Sequence, residues 1–113
     1  MSTETLERLD ALLAEAGEAD DALRAVVELL ASEPEIEWAG IAFLEEGELV
    51  LGPAAGVPDE TARQSAVVAF HGEPVGELRI DGRTDAVFLE QVAARIAELV
   101  LVGWDTRGEA WEP

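Results

Sequence analysis

The residues best able to do chemistry in this chain are few. His71 is the only imidazole, set in "FHGEP" beside Glu73, and there is no cysteine. A general base needs both a partner and a pocket, so a turn histidine reads as solvated. Without a thiol there is no disulfide, no thiolate nucleophile and no Cys-ligated metal. Glu77 and Arg79 alternate in "VGELRI", so in a strand they share one face. They read as an ion pair on a solvated sheet face or as the polar part of a ligand-binding surface. Carboxylates abound in "EADD", "EIEW" and "LEEGE", but none has the alternating oxygen-ligand loop of a calcium site. "GPAAG" and "GEPVG" lack the strand-to-helix setting and the lysine of a phosphate cradle. These patterns predict no metal and no cofactor.

Charge narrows the partners further. The 113 residues include 25 acidic and 7 basic ones, all seven arginine, for a net charge of −18. Such a field repels phosphate backbones and anionic lipid surfaces, so nucleic acid and membranes are poor partners. Arginine without lysine fits a GC-rich genome, and the acidity fits a surface kept hydrated in high salt. No apolar run approaches the roughly 20 residues of a membrane-spanning helix. The opening "MSTETLERLD" is acidic and helical in pattern, unlike a signal peptide. The expected compartment is the cytoplasm. Almost half the residues are apolar and few are aromatic, so one small core of Leu, Val, Ala and Ile is expected.

The elements that position these residues follow from periodicity. Leu6, Leu9, Leu12 and Leu13 make a helical stripe over Thr3 to Ala16, which Gly17 ends. Asp20 and Asp21 start a second helix with Leu23, Val26, Val27 and Leu30 on one side, and Pro34 closes it. One helix bent at Gly17 is the alternative. "WAGIAFLEE" and "GELVLG" then read as two strands about a tight turn at Glu45, Glu46 and Gly47. Gly40 and Ala42 face one way along the first of them, and Ala39, Ile41 and Phe43 the other. After the short "VPDETARQ", a second hairpin runs through "SAVVAF", "HGEP" and "VGELRI". Its last strand turns Gly76, Leu78 and Ile80 to the core and Val75, Glu77 and Arg79 away. Thr84 or Asp85 caps a final helix, Ala86 to Val102, bearing Phe88, Leu89, Val92, Ile96, Leu99 and Val100. The remaining "GWDTRGEAWEP" reads as a loose extension whose Trp104 and Trp111 cover an apolar surface or a partner. Trp38 reads as a plug at a core edge. The order of elements predicts an α+β domain with an antiparallel sheet and its helices on one face.

These stretches resemble a GAF domain. "DALRAVVELLASEPEIEWAGIAFLEEGELVLGPAAG" resembles the opening helix and first hairpin of that family, Pro74 to Leu78 its "iGvL" pattern, and "AVFLEQVAARIAELV" its closing helix. Trp38-Ala39-Gly40 and Glu48 to Gly56 are similar to the group that holds the free methionine sulfoxide reductases. The resemblance implies four strands in the order 2-1-4-3, with the N- and C-terminal helices on one face. It also implies that catalytic cysteines would stand between the hairpins, where this chain has only "VPDETARQ". The same segment would roof a ligand pocket on the face opposite the helices, so that roof is expected to be missing.

The organisation expected is an N-terminal helix over residues 1–19, a truncated GAF-like domain over 20–102 and a tail over 103–113. Three functions are weighed: a non-catalytic regulatory or interaction module, a small-molecule sensor, and a reductase-like enzyme disfavoured by the missing thiols. The sensor pocket is expected around Phe43, Val50, Ala55, Phe70 and Arg79, with Glu77 beside it. A homodimer is expected through the helices, as GAF domains often pair, with Leu6, Leu9 and Leu13 as its contact ridge.

Overall fold

The computed structural model describes the backbone at 3–15 and 17–110 and the side chains at 4–15 and 17–101. Helices α1 (Thr3–Glu15) and α2 (Ala19–Ala31) come first and are separate. Four strands follow: β1 (Ile36–Glu45), β2 (Glu48–Gly56), β3 (Arg63–Phe70) and β4 (Glu73–Gly82). Helix α3 (Ala86–Ala110) closes the order. The sheet is antiparallel in the order β2-β1-β4-β3, with all three helices on one side, as expected.

Both hairpins turn on residues that tolerate the left-handed region. Glu46 and Gly47 sit at φ 51° and 85°, and His71 and Gly72 at 54° and 84°. Two consecutive positive φ values match the right-handed twist of the flanking strands. Asp85 is the cap of α3, its Oδ1 accepting from the Phe88 N–H at 2.7 Å.

The core lies between sheet and helices. Leu23, Val26, Val27 and Leu30 from α2 meet Ala39, Ile41 and Phe43 of β1 and Leu78 and Ile80 of β4. Phe88, Leu89, Val92, Ile96 and Val100 of α3 complete it. Gly76 is required where β4 passes β1, because a Cβ there would run into the Ala42 carbonyl oxygen and Val100.

Two expectations are corrected. Leu9 is fully buried in this same core, with Leu6, Leu12 and Leu13 packed against it. Leu9 is therefore spent inside the molecule and offers no contact surface, while Leu6 and Leu13 of the same ridge are half-buried. An ion pair of 2.8 Å from Arg95 Nε to Asp10 Oδ1 ties α1 to α3. The extension after Val102 is helical, since α3 runs on to Ala110. An established helix adds residues cheaply, and its two glycines cost only about 1 kcal/mol each. The side chain of Trp104 and all of Trp111 lie outside the described residues.

Candidate functional site: the open face of the sheet

The sheet face away from the helices is built by alternate residues of each strand. Trp38, Gly40 and Ala42 come from β1, with Asp81, Arg79 and Glu77 of β4 directly opposite them. Arg63, Ser65 and Val67 of β3 pair with the same three β4 residues. Leu49 and Leu51 of β2 stand opposite Leu44 and Ala42.

One end of this face is closed by a compact polar knot. Asp81 is fully buried, and its carboxylate accepts from Arg63 Nε at 2.7 Å and Nη2 at 2.9 Å. The Asp59 backbone N–H adds a third bond at 2.6 Å to Oδ2. The guanidinium lies over the Trp38 ring, 4.6 Å from its centroid, a cation–π contact. The hydrogen bonds from Arg63 hold the Asp81 carboxyl below the usual carboxylate range, against the opposing effect of burial. The same pair raises Arg63 further above its ordinary value. Asp59 also organises its own segment, its Oδ1 accepting from the Thr61 N–H and hydroxyl at 3.2 and 2.6 Å.

The "VPDETARQ" segment is thereby pinned against Trp38 and Asp81. It forms one 3-10 turn, Glu60–Ala62, and is anchored at its start by the Val57 N–H donating to Glu37 O at 2.8 Å. Trp38 is buried, but on this face under Arg63 and not at the helix-side core. Gly40 makes room for it, since a Cβ there would meet the indole ring. Beyond the knot the face is uncovered at β2 and at the β3 end, where Leu49, Leu51 and Val67 are 42, 48 and 63% exposed.

The expected pocket residues do not converge. Glu77 and Arg79 lie on the open face and pair with each other at 2.7 Å, each about three-quarters buried. Phe43 is on the opposite side, inside the core, and Val50 and Ala55 are across from Phe43 and Ala39 on that same side. Phe70 is near the far edge of the sheet, packed on the core, with the His71 ring stacked on it at 4.0 Å. Alternation separates these residues, because successive side chains of a strand point to opposite faces of the sheet. Phe43 does line a cleft of about 280 Å³, but with Asp20, Leu23 and Arg24 of α2 and Leu51, Gly52 and Pro53 of β2.

Neither Arg63 nor Asp81 stands out in the sequence as a site residue. The signal was there: Glu77, Arg79 and Asp81 continue one period-2 series. Its arginine partner came from a segment that reads as a loop. Among the described residues no group of three or more His, Asp or Glu side chains could hold a metal ion.

No protein-family model matches the chain, and no curated protein sequence matches it. Solved structures do. The GAF domain of an Acinetobacter phosphoenolpyruvate-protein phosphotransferase superposes at a TM-score of 0.77 with 14% identity, over 96% of this chain and 99% of that one. The chain has a GAF-like fold. The GAF domain of A. aeolicus nlh2 in an inactive state is similar at a TM-score of 0.65 and 15% identity, over 93% of this chain and 96% of that one. The fRMsr of Staphylococcus aureus in complex with substrate gives 0.67 and 20% identity, over 88% and 92%. GAF-like structures of different roles thus share this architecture, so the role of this GAF-like domain has to be argued from its own residues. No described helix of the GAF-like domain is long and apolar enough to cross a membrane.

Proposed function

We propose that this GAF-like domain is a non-catalytic regulatory module that acts by binding and works as a homodimer. The observation that carries this reading is the short segment between β2 and β3. It is tied to Asp81 and leaves apolar residues of the sheet face exposed beyond Trp38. A surface of that kind suits association better than enclosure of a small substrate. The reductase-like alternative lacks the thiol that such chemistry requires, since the chain has no cysteine.

The sensor reading retains one specific observation, the cleft of about 280 Å³ at Phe43, Leu23 and Arg24. It lies on the helix side and not where the sequence placed it. A thermal-shift screen against classes of metabolites, at low and high salt, tests both readings. A binding module responds to salt and not to any one metabolite class. Selective stabilisation by one class gives the function to the cleft, and turnover of free methionine sulfoxide with a thiol reductant overturns the non-catalytic reading.

A further inference from the structure

The cleft of about 280 Å³ between α2 and β2 is built by a departure from regular sheet geometry. Gly40 pairs with Ala54 and Ala42 with Leu51, so Ile41 alone stands opposite both Gly52 and Pro53. That two-against-one count is a β-bulge, which bends the strand and interrupts its ladder. Gly52 completes the arrangement, because a Cβ there would run into the Phe43 ring. The glycine lets this ring, otherwise sealed in the core, reach the wall of the cleft beside Leu23. Leu51 and Pro53 continue the apolar lining.

Two charged side chains of α2 join that lining, Asp20 and Arg24, and they are not equivalent. Asp20 is half-buried in the first turn of α2, whereas Arg24, one turn later, is exposed. A long arginine keeps its head in water while its stem lies along an apolar wall. A short aspartate has no such reach. The surroundings of the cleft are acidic as well. Glu45 shares the face of Phe43 along β1, and Glu48 pairs with Glu45 across the hairpin. Asp20, Glu45 and Glu48 thus set three carboxylates against the guanidinium of Arg24, in a chain of net charge −18.

We propose that this cleft binds a small organic cation, its ammonium group on the Asp20 carboxylate and its alkyl or aryl body against Leu23, Phe43 and Pro53. A carboxylate accepts several donors, so the ammonium adds to the contacts that Asp20 already makes. The volume is at the small end of ligand pockets, which limits the body to a single ring or a short chain. The field of so acidic a chain concentrates cations at its surface and repels anions. This inference rests on the sensor reading above and names the class of its ligand.

Three probes with one ring and different charge test it: benzylamine, benzyl alcohol and benzoate, each titrated into the chain and followed by backbone amide chemical shifts. Benzylamine is expected to move the amides of Leu23, Phe43 and Gly52 saturably. The alcohol and the carboxylate are expected to bind at least about tenfold more weakly, as is benzylamine to Asp20→Asn. Arg24→Gln removes an opposing charge at the rim and is expected to tighten benzylamine binding, while high salt weakens it. Equal binding of benzyl alcohol or benzoate at the same amides overturns the cation class and leaves the sensor reading standing. Benzylamine shifts that never saturate, or that survive Asp20→Asn unchanged, mark adhesion to the acidic surface and overturn the site. No movement of those amides with any probe overturns the proposal, and a metabolite screen without a response then overturns the sensor reading too.

Discussion

Arg63 grips both carboxylate oxygens of Asp81 from the paired strand, at 2.7 and 2.9 Å, while its guanidinium covers Trp38. The pair does three things at once. It neutralises a buried carboxylate, roofs Trp38 on the open face and, through the Asp59 N–H, holds the short segment down. Removing one partner of such a pair leaves the other stranded. Arg63→Ala is expected to lower the Tm by several degrees and to expose Trp38. Arg79→Ala, which breaks only the partly exposed pair with Glu77, is expected to do less. Thermal denaturation followed by circular dichroism compares them.

The same pair sets an acid limit. The Asp81 carboxyl is held below its ordinary value in the folded chain, so the unfolded chain binds its proton first as pH falls. The stabilisation is therefore complete above the ordinary carboxylate range and is lost as pH drops through it. The Tm difference between the native chain and Asp81→Asn is expected to be largest near neutrality and to shrink in acid. A difference constant from pH 7 to roughly pH 3 would count against this.

Leu9 and Leu49 test where the leucines act. Leu9 is buried and touches the core of sheet and helices, so Leu9→Ala is expected to cost about 2–5 kcal/mol of stability. Leu49→Ala, on the exposed edge, is expected to change the stability of the monomer by about 0.5 kcal/mol or less. Urea denaturation at low protein concentration measures both. Equal costs would mean that the ridge of α1 is not part of the core.

Gly76→Ala probes the closest passage of β4 over β1. The added methyl meets the Ala42 carbonyl and Val100, neither of which has room to give. Overpacking of this kind costs about 1–3 kcal/mol. Gly47→Ala meets no steric neighbour, so any loss there reflects its φ of 85° alone. Comparing the two by denaturation separates crowding from backbone strain.

Salt is expected to stabilise the domain. With 25 acidic residues against 7 basic, repulsion within the folded chain exceeds attraction. Shortening the screening length from about 10 Å at 0.1 M to about 3 Å at 1 M relieves it. The Tm in a sodium chloride series is expected to rise steeply at first and then flatten.

Much of this architecture is written locally. Turn residues such as Glu46-Gly47 and His71-Gly72, the stripe of Leu23, Val26, Val27 and Leu30, and the alternation from Val75 to Ile80 each carry their own period. They determine the four strands, the helices and the inward face of β4, because these depend on neighbours a few residues apart. The absence of thiols is equally a property of the sequence alone. What the tertiary structure decided is everything that joins distant segments. A leucine stripe on α1 says that one side is apolar but not what covers it, and packing gave Leu9 to the core. Alternation assigns a face to Phe43 and a face to Arg79, yet only the assembled sheet shows that they are opposite faces. Arg63 and Asp81 lie 18 residues apart, and their contact exists because strand register brings them together. A burial pattern can be read from period, but partnership depends on register, and register is settled only when the strands pair.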